Sequence, residues 1–428
     1  MLAFPLKFSL GIGLGLGISS ILYFLVLQIA PGRINMLTLQ IILLILLLAI
    51  TLLRAQNQKW DRIYLPALSR LQWGLFGTFV LTFLISGLVF INTIISRPQG
   101  VMDAWSIWNR AARFIYRDPE NWQATLSPDL ALFRHADYPL LVPLNVAWGW
   151  EALGNETLRV PMLQAVLFTF SIIMLMFSAL AFTRTIGQAS LAAVVLMATT
   201  GVVVEGTYLI ADIPLTYFIL ASSILMYLYF VRKDSTFLIL SGFMAGLAGW
   251  TKNEGLLFIA ISPIALLVAS KKNIRHSFLP YLAGLAVPLL IIFYFKSITP
   301  ANDLMNNNIG SLIPKITDLS RYWMILKSFT SIFIDRNILF LLFYIVILHN
   351  NLMTDPRQAT YAIITLWVLQ LLGYGAIFLI TPYDLEWHLR TSQRIILQIL
   401  PLAIFFCFSI GSDPESVFLN GSNKTPMH

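Results

Sequence analysis

Apolar residues run along this chain in long unbroken stretches, and polar residues are confined to the intervals between them. Stretches near 8–30, 36–54, 71–94, 158–182, 188–206, 211–230, 237–250, 254–270, 277–296, 332–350, 358–380 and 393–410 approach the roughly 20 residues a helix needs to cross a bilayer. They are continuous rather than alternating, which predicts helices and not barrel strands. The pattern therefore predicts an all-α polytopic membrane protein with about twelve transmembrane segments. Lys252 and Glu254 interrupt the apolar run from Phe237 to Ser270. That run reads either as two short spans or as one broken helix, which a membrane tolerates only where protein or a wet cavity satisfies the freed backbone groups. The first stretch leads into further spans without a small-residue cleavage site, so it is expected to be a retained helix.

The intervals divide the chain into a three-span segment (1–94), a large outer loop (95–157), a multi-span core (158–410) and a polar tail (411–428). In the loop, Trp105, Ile107, Trp108, Ala111, Ala112 and Ile115 recur at helical spacing with Arg110, Arg113 and Arg117 beside them. This predicts an amphipathic helix lying at the membrane interface. Pro139 and Pro143 then stop helix propagation, and the Asn run, Gly310 and Pro314 predict irregular backbone across 297–331.

Composition supports the same class. The chain is 58% hydrophobic and only 11% charged, against about 25% charged in soluble domains. With the N-terminus cytoplasmic, the inner segments hold 13 basic and 5 acidic residues, which accounts for the whole net charge of +8, and the outer side sums to zero. Short-loop clusters such as Arg232-Lys233 and Lys271-Lys272-x-x-Arg275 set this orientation, so the positive charge calls for a lipid bilayer and not for nucleic acid. The single cysteine, Cys407, excludes an internal disulfide. No P-loop, G-x-G-x-x-G, C-x-x-C or H-E-x-x-H is present, which disfavours ATP hydrolysis, dinucleotide binding and zinc proteolysis.

This orientation sends the unusual polar residues to one face. Asp103, just before the amphipathic helix, reads equally as an N-cap or as a carboxylate base. His135, Asp137 and Tyr138 either line a sugar pocket or knit the loop together. Lys252 reads as a snorkelling span end or as a phosphate ligand, and Glu254 as its partner or as a binder of sugar hydroxyls. Asp212 stands at a helix start, where capping is expected, and Glu205 reads as a loop acid. Within 381–394, Asp384, Trp387, His388, Arg390 and Arg394 form either a salt-bridged cap or a binding edge, with Trp387 stacking on a sugar and an arginine on phosphate.

These pieces resemble the polytopic GT-C glycosyltransferases, among them the bacterial lipopolysaccharide-core transferases, the lipid A aminoarabinose transferase and the protein O-mannosyltransferases. The resemblance rests on Asp103 early in the large loop, HADYP at 135–139, ADIPL at 211–215 and WTKNEG at 250–255. It covers about residues 95–270, and more loosely extends to 410. Two spans beyond the family's usual one precede the loop, and no second acid adjoins Asp103. The resemblance implies a GT-C-like fold and an inverting glycosyltransferase using a polyprenyl-phosphate sugar donor and a lipid, glycan or protein acceptor.

On that reading Asp103 is the catalytic base and Asp137 a second candidate carboxylate. Lys252 and Arg390 or Arg394 hold phosphate. Trp105, His135, Tyr138, Asp212, Glu254, Asp384, Trp387 and His388 complete the substrate-binding set. No cofactor is assigned; a divalent cation (Mg or Mn) is compatible with a phosphate leaving group. The expected location is a bacterial inner membrane, with both termini cytoplasmic and the site on the outer side. The alternatives are a flippase or transporter of lipid-linked glycans, which calls for charges near the midplane, and a structural assembly subunit.

Overall fold

The computed structural model describes residues 3–55, 68–127, 135–199, 201–270, 274–301, 309–335 and 357–415. The described residues are helical and contain no strand. In chain order the helices are α1 (Ala3–Ile29), α2 (Met36–Ala55), α3 (Arg70–Ser96), α4 (Asn109–Arg117), α5 (Leu141–Leu153), α6 (Arg159–Thr183), α7 (Ile186–Thr199), α8 (Val202–Gly206) and α9 (Asp212–Arg232). They continue with α10 (Thr236–Thr251), α11 (Glu254–Ser270), α12 (Ile274–Ile298), α13 (Ile309–Thr317), α14 (Leu319–Asp335), α15 (Arg357–Ile380), α16 (Leu385–Leu389), α17 (Ser392–Leu397) and α18 (Leu400–Ile410). Eight described segments are long and apolar enough to cross a membrane, and α7, α10 and α11 are shorter apolar helices. Most of the expected span at 332–350 lies outside the described residues.

Helix α9 is apolar on all sides and stands at the centre, with 94% of its spanning window buried. This is where a helix without a polar face belongs. Its hydroxyls are satisfied internally, Thr216 by the Asp212 carbonyl and Ser222 by Ser241 of α10. At the other extreme α2 is covered over only 6% of its window, as a leucine-rich helix facing lipid would be.

Helices α10 and α12 approach through small residues: a Cβ on Gly242 would meet the Tyr281 carbonyl oxygen at 2.0 Å, and one on Gly284 that of Ile239 at 1.8 Å. Small residues of this kind bring membrane helices into backbone contact. Between them the chain reverses at Lys252-Asn253. Gly249 lies against Ile259, so 237–270 forms two antiparallel helices and not one broken rod.

The structure corrects three expectations. The fifth apolar stretch does not run to 206: α7 ends at Thr199, and Gly201, in the left-handed region, separates it from α8. Glu205 is therefore a buried helical residue and no loop acid. Within 297–331, expected to be irregular, the chain forms α13, with Pro314 inside the helix, and most of α14.

The reversals bring the starts of α9, α11 and α17 and the ends of α10, α12 and α15 to one end of the bundle. At the opposite end Arg184 donates to the Ser409 carbonyl, Gln188 to those of Phe408 and Gly411, and Lys233 to Gln358.

Candidate active site

At the first of these ends, side chains from five parts of the chain form a continuous ionic path. Arg394 of α17 donates through Nη1 to Asp103 at 2.8 Å and through Nη2 to Asp212 at 2.9 Å. Asp212 also accepts from Lys252 Nζ at 3.0 Å and from Gln398 Nε2 at 2.7 Å, while Lys252 reaches Glu254 Oε1 at 2.8 Å. Tyr374 of α15 donates to the Gln398 amide oxygen at 2.6 Å. Three carboxylates share two cations, a formal charge of −1. The Asp212 and Lys252 side chains are 1% and 7% exposed, so each depends on its partners for compensation.

A second cluster lies beside the first. Lys296, near the end of α12, donates to the Asp137 carbonyl at 2.5 Å and to Asn253 Oδ1 at 2.7 Å, and its Nζ is 3.5 Å from Asp137 Oδ2. Asn253 in turn donates to Asp137 Oδ2 at 2.6 Å. Asn253 lies in the α10–α11 reversal, after Lys252, whose backbone is extended while its N–H still donates to the Ala248 carbonyl.

Both clusters open on a cavity of about 730 Å³ lined by His135, Tyr138, Asn253, Glu254, Lys296, Tyr374, Tyr383 and His388, with Leu256, Ile377 and Ile395 as apolar walls. This lies within the size range of small-molecule sites, about 300–1,000 Å³. Trp108, Tyr138 and His135 stack in series, with ring centroids 5.4 and 4.3 Å apart and planes within 15°. Glu254 Oε2, His388 Nδ1 and Arg394 Nε are buried atoms with no protein partner. Unsatisfied polar groups gathered in this way are what a bound ligand would complete. Burial, reinforced by His135, holds the His388 pKa below its ordinary value against the pull of Glu254. Burial likewise raises the Tyr138 hydroxyl well above its usual range, helped by Glu254, Asp137 and Asp212. Both groups are therefore neutral at physiological pH.

The capping readings of the two aspartates fail. Asp103 has helical backbone angles and makes no cap hydrogen bond; the turn after it is a π-turn, Ala104–Trp108, and its carboxylate points to Arg394. Asp212 is the first residue of α9 and spends its carboxylate on three side chains from distant parts of the chain. Lys252 is no snorkel, since it is enclosed between two carboxylates. Asp384 does cap, accepting from the Trp387 N–H at 2.8 Å. Asp384, Trp387 and Arg390 are exposed and absent from the cavity wall, as is Trp105. The sequence reading missed Lys296, Asn253, Tyr374, Tyr383 and Gln398. Lys296 carried the same signal that marked Lys252, a charge ending an apolar run, and Gln398 was an isolated polar residue within one.

Among the described residues no three His, Cys, Asp or Glu side chains converge as a cation cage. The guanidinium of Arg394 bridges the two carboxylates Asp103 and Asp212. The described residues therefore do not fit a divalent ion held by protein ligands alone.

The family model described as dolichyl-phosphate-mannose-protein mannosyltransferase matches residues 80–351, more than half of the chain. The chain belongs to this family. Membership places it in the GT-C superfamily and makes it a membrane glycosyltransferase drawing on a polyprenyl-phosphate-linked sugar. The matched span contains Asp103, Asp137, Asp212, Lys252, Glu254 and Lys296, whereas Arg394, which ties two of them together, lies beyond it. No curated protein and no solved structure matches the chain.

Proposed function

We propose that this mannosyltransferase-family chain transfers a hexose from a polyprenyl-phosphate donor to an acceptor hydroxyl at the non-cytoplasmic membrane face, with inversion at the anomeric carbon. The observation that carries the reading is the cavity at one end of the bundle, where acidic, basic and aromatic side chains from the loop and five helices converge. The sugar phosphate enters with its isoprenoid along the wall of Leu256, Ile377 and Ile395. The phosphate lies towards Lys296 and His388, and the sugar towards Glu254, Asn253 and the His135–Tyr138 stack. Lys252 and Arg394, already committed to carboxylates, set the geometry and charge of the site.

Asp103, with 28% of its side chain exposed, faces the approaching acceptor. It takes the acceptor proton as the new bond forms from acceptor oxygen to anomeric carbon. The sugar–phosphate bond breaks on the opposite side, and polyprenyl phosphate leaves with the electron pair. Arg394, bonded to Asp103 at 2.8 Å, orients this carboxylate. The outward face is supported by the opposite end of the bundle, which carries Lys7, Arg184, Arg232 and Lys233. Clustering of charge at one end, rather than along a path through the bilayer, counts against a flippase.

Purified protein reconstituted with polyprenyl-phosphate mannose, the sugar in the family's description, and with protein, lipid and glycan acceptors tests the reading. Removal of a general base costs about 10²–10⁴ in rate, so Asp103→Asn is expected to lose transfer by that factor while still binding donor. Undiminished transfer by Asp103→Asn would overturn the assignment of the base.

A further inference from the structure

A second cavity, of about 340 Å³, opens at the same end of the molecule between the end of α1 and the turn at Trp122–Leu126. Its wall differs in kind from that of the donor cavity. Gln28, Asn121 and Gln123 supply amides, Glu120 supplies a carboxylate, and among the described residues no basic side chain lines it. Asn121 donates its Nδ2 to Asp118 at 2.9 Å, which leaves its amide oxygen as an acceptor. The floor is packed into the core: Trp122 and Leu27 are 2% and 3% exposed.

The cavity is also tied mechanically to the candidate active site. Tyr294, two residues before Lys296, donates to Gln28 Oε1 at 3.0 Å. The Phe24 ring meets Trp122 on one side and Trp250 and Phe295 on the other, at centroid distances of 5.7, 5.1 and 6.1 Å.

We infer that this cavity binds an uncharged, hydroxyl-rich acceptor glycan. This rests on the transferase reading of the first cavity and narrows its acceptor class. Amides both accept from and donate to sugar hydroxyls, and a carboxylate accepts from them, without a counter-charge. A phosphorylated ligand meets Glu120 with no cation in the described lining to offset it, so the two cavities sort an anionic donor from a neutral acceptor. The volume lies at the lower end of the range for small-ligand sites, about 300–1,000 Å³, and suits one or two sugar residues at the acceptor end.

The test uses saturation-transfer NMR on the full-length protein in nanodiscs, with α-mannobiose, maltotriose and chitobiose as neutral probes and glucose 6-phosphate as the anionic control. At least one neutral probe is expected to bind and the anion to give no signal. The double variant Glu120→Leu/Gln123→Leu, whose side chains have no protein hydrogen bond to lose, is expected to weaken binding about tenfold, the loss of two hydrogen bonds.

No binding of any neutral probe, binding unchanged in the double variant, or a lysine- and serine-rich peptide held in place of the glycans would each overturn the inference. Binding of polyprenyl-phosphate mannose, measured in parallel, separates the two readings. If it persists in wild type and double variant while glycans fail, only this inference falls; if wild type fails to bind it, the transferase reading falls.

Discussion

Asp212 is the residue on which the ionic path turns. It accepts from Lys252, Arg394 and Gln398 at 1% exposure, so Asp212→Asn leaves the buried Lys252 and the half-buried Arg394 with one carboxylate fewer. Breaking a buried pair from one side costs about 3–5 kcal/mol, and thermal unfolding in detergent should show a loss of that order. Arg394→Lys should preserve charge but lose the bridge, because a single ammonium cannot reach two carboxylates as a planar fork does. Transfer should fall more than donor affinity, read as kcat against KM. His388 carries the pH dependence. Its folded pKa lies below the ordinary value of 6.5, so below about pH 6.5 the unfolded chain binds the extra proton first and stability falls until the folded group also charges. Melting temperature should fall as pH drops below about 6.5, and His388→Gln should flatten this part of the profile.

Among the elements, the parallel pair α10 and α12 does most to place chemistry, since Lys252 follows one and Lys296 ends the other. Gly242 and Gly284 face the partner's backbone at distances no Cβ tolerates. Gly284→Val should force the pair apart at a cost of at least about 1–3 kcal/mol. It should depress transfer although it lies away from the cavity lining, with correctly folded yield and melting temperature as the measurements. Asp384→Ala should cost only about 1 kcal/mol through the lost cap of α16. It should leave donor affinity within a few-fold, unlike substitutions at Lys296. On the loop, Arg113 and Arg117 hold Glu156 at 3.3 and 2.9 Å. The hydrogen bond from Arg117 keeps that carboxylate below its ordinary pKa despite partial burial, which pins α4 to the start of α6.

The molecule separates its two ends by composition, with the cavities, long loop and mixed charges at one and basic anchors at the other. In a Cys407→Ala background, a cysteine at Gln123 should react with an impermeant maleimide from outside intact cells, and one at Lys233 only after permeabilisation. The reverse pattern would place the site in the cytoplasm.

Helical class and the one-ended segregation of charge were legible along the chain. Spans must be apolar over a bilayer's width and charges must lie where water is, and both rules act locally. The partners of those charges were not legible. Asp103 and Arg394 stand 291 residues apart, and Asp212 and Lys252 40, and no local pattern records which helix ends meet. Packing alone turned two expected helix caps into the acceptors of a buried ionic path. It brought Lys296, by sequence an ordinary span end, to the cavity wall, because glycine contacts between α10 and α12 carry their ends to the same place.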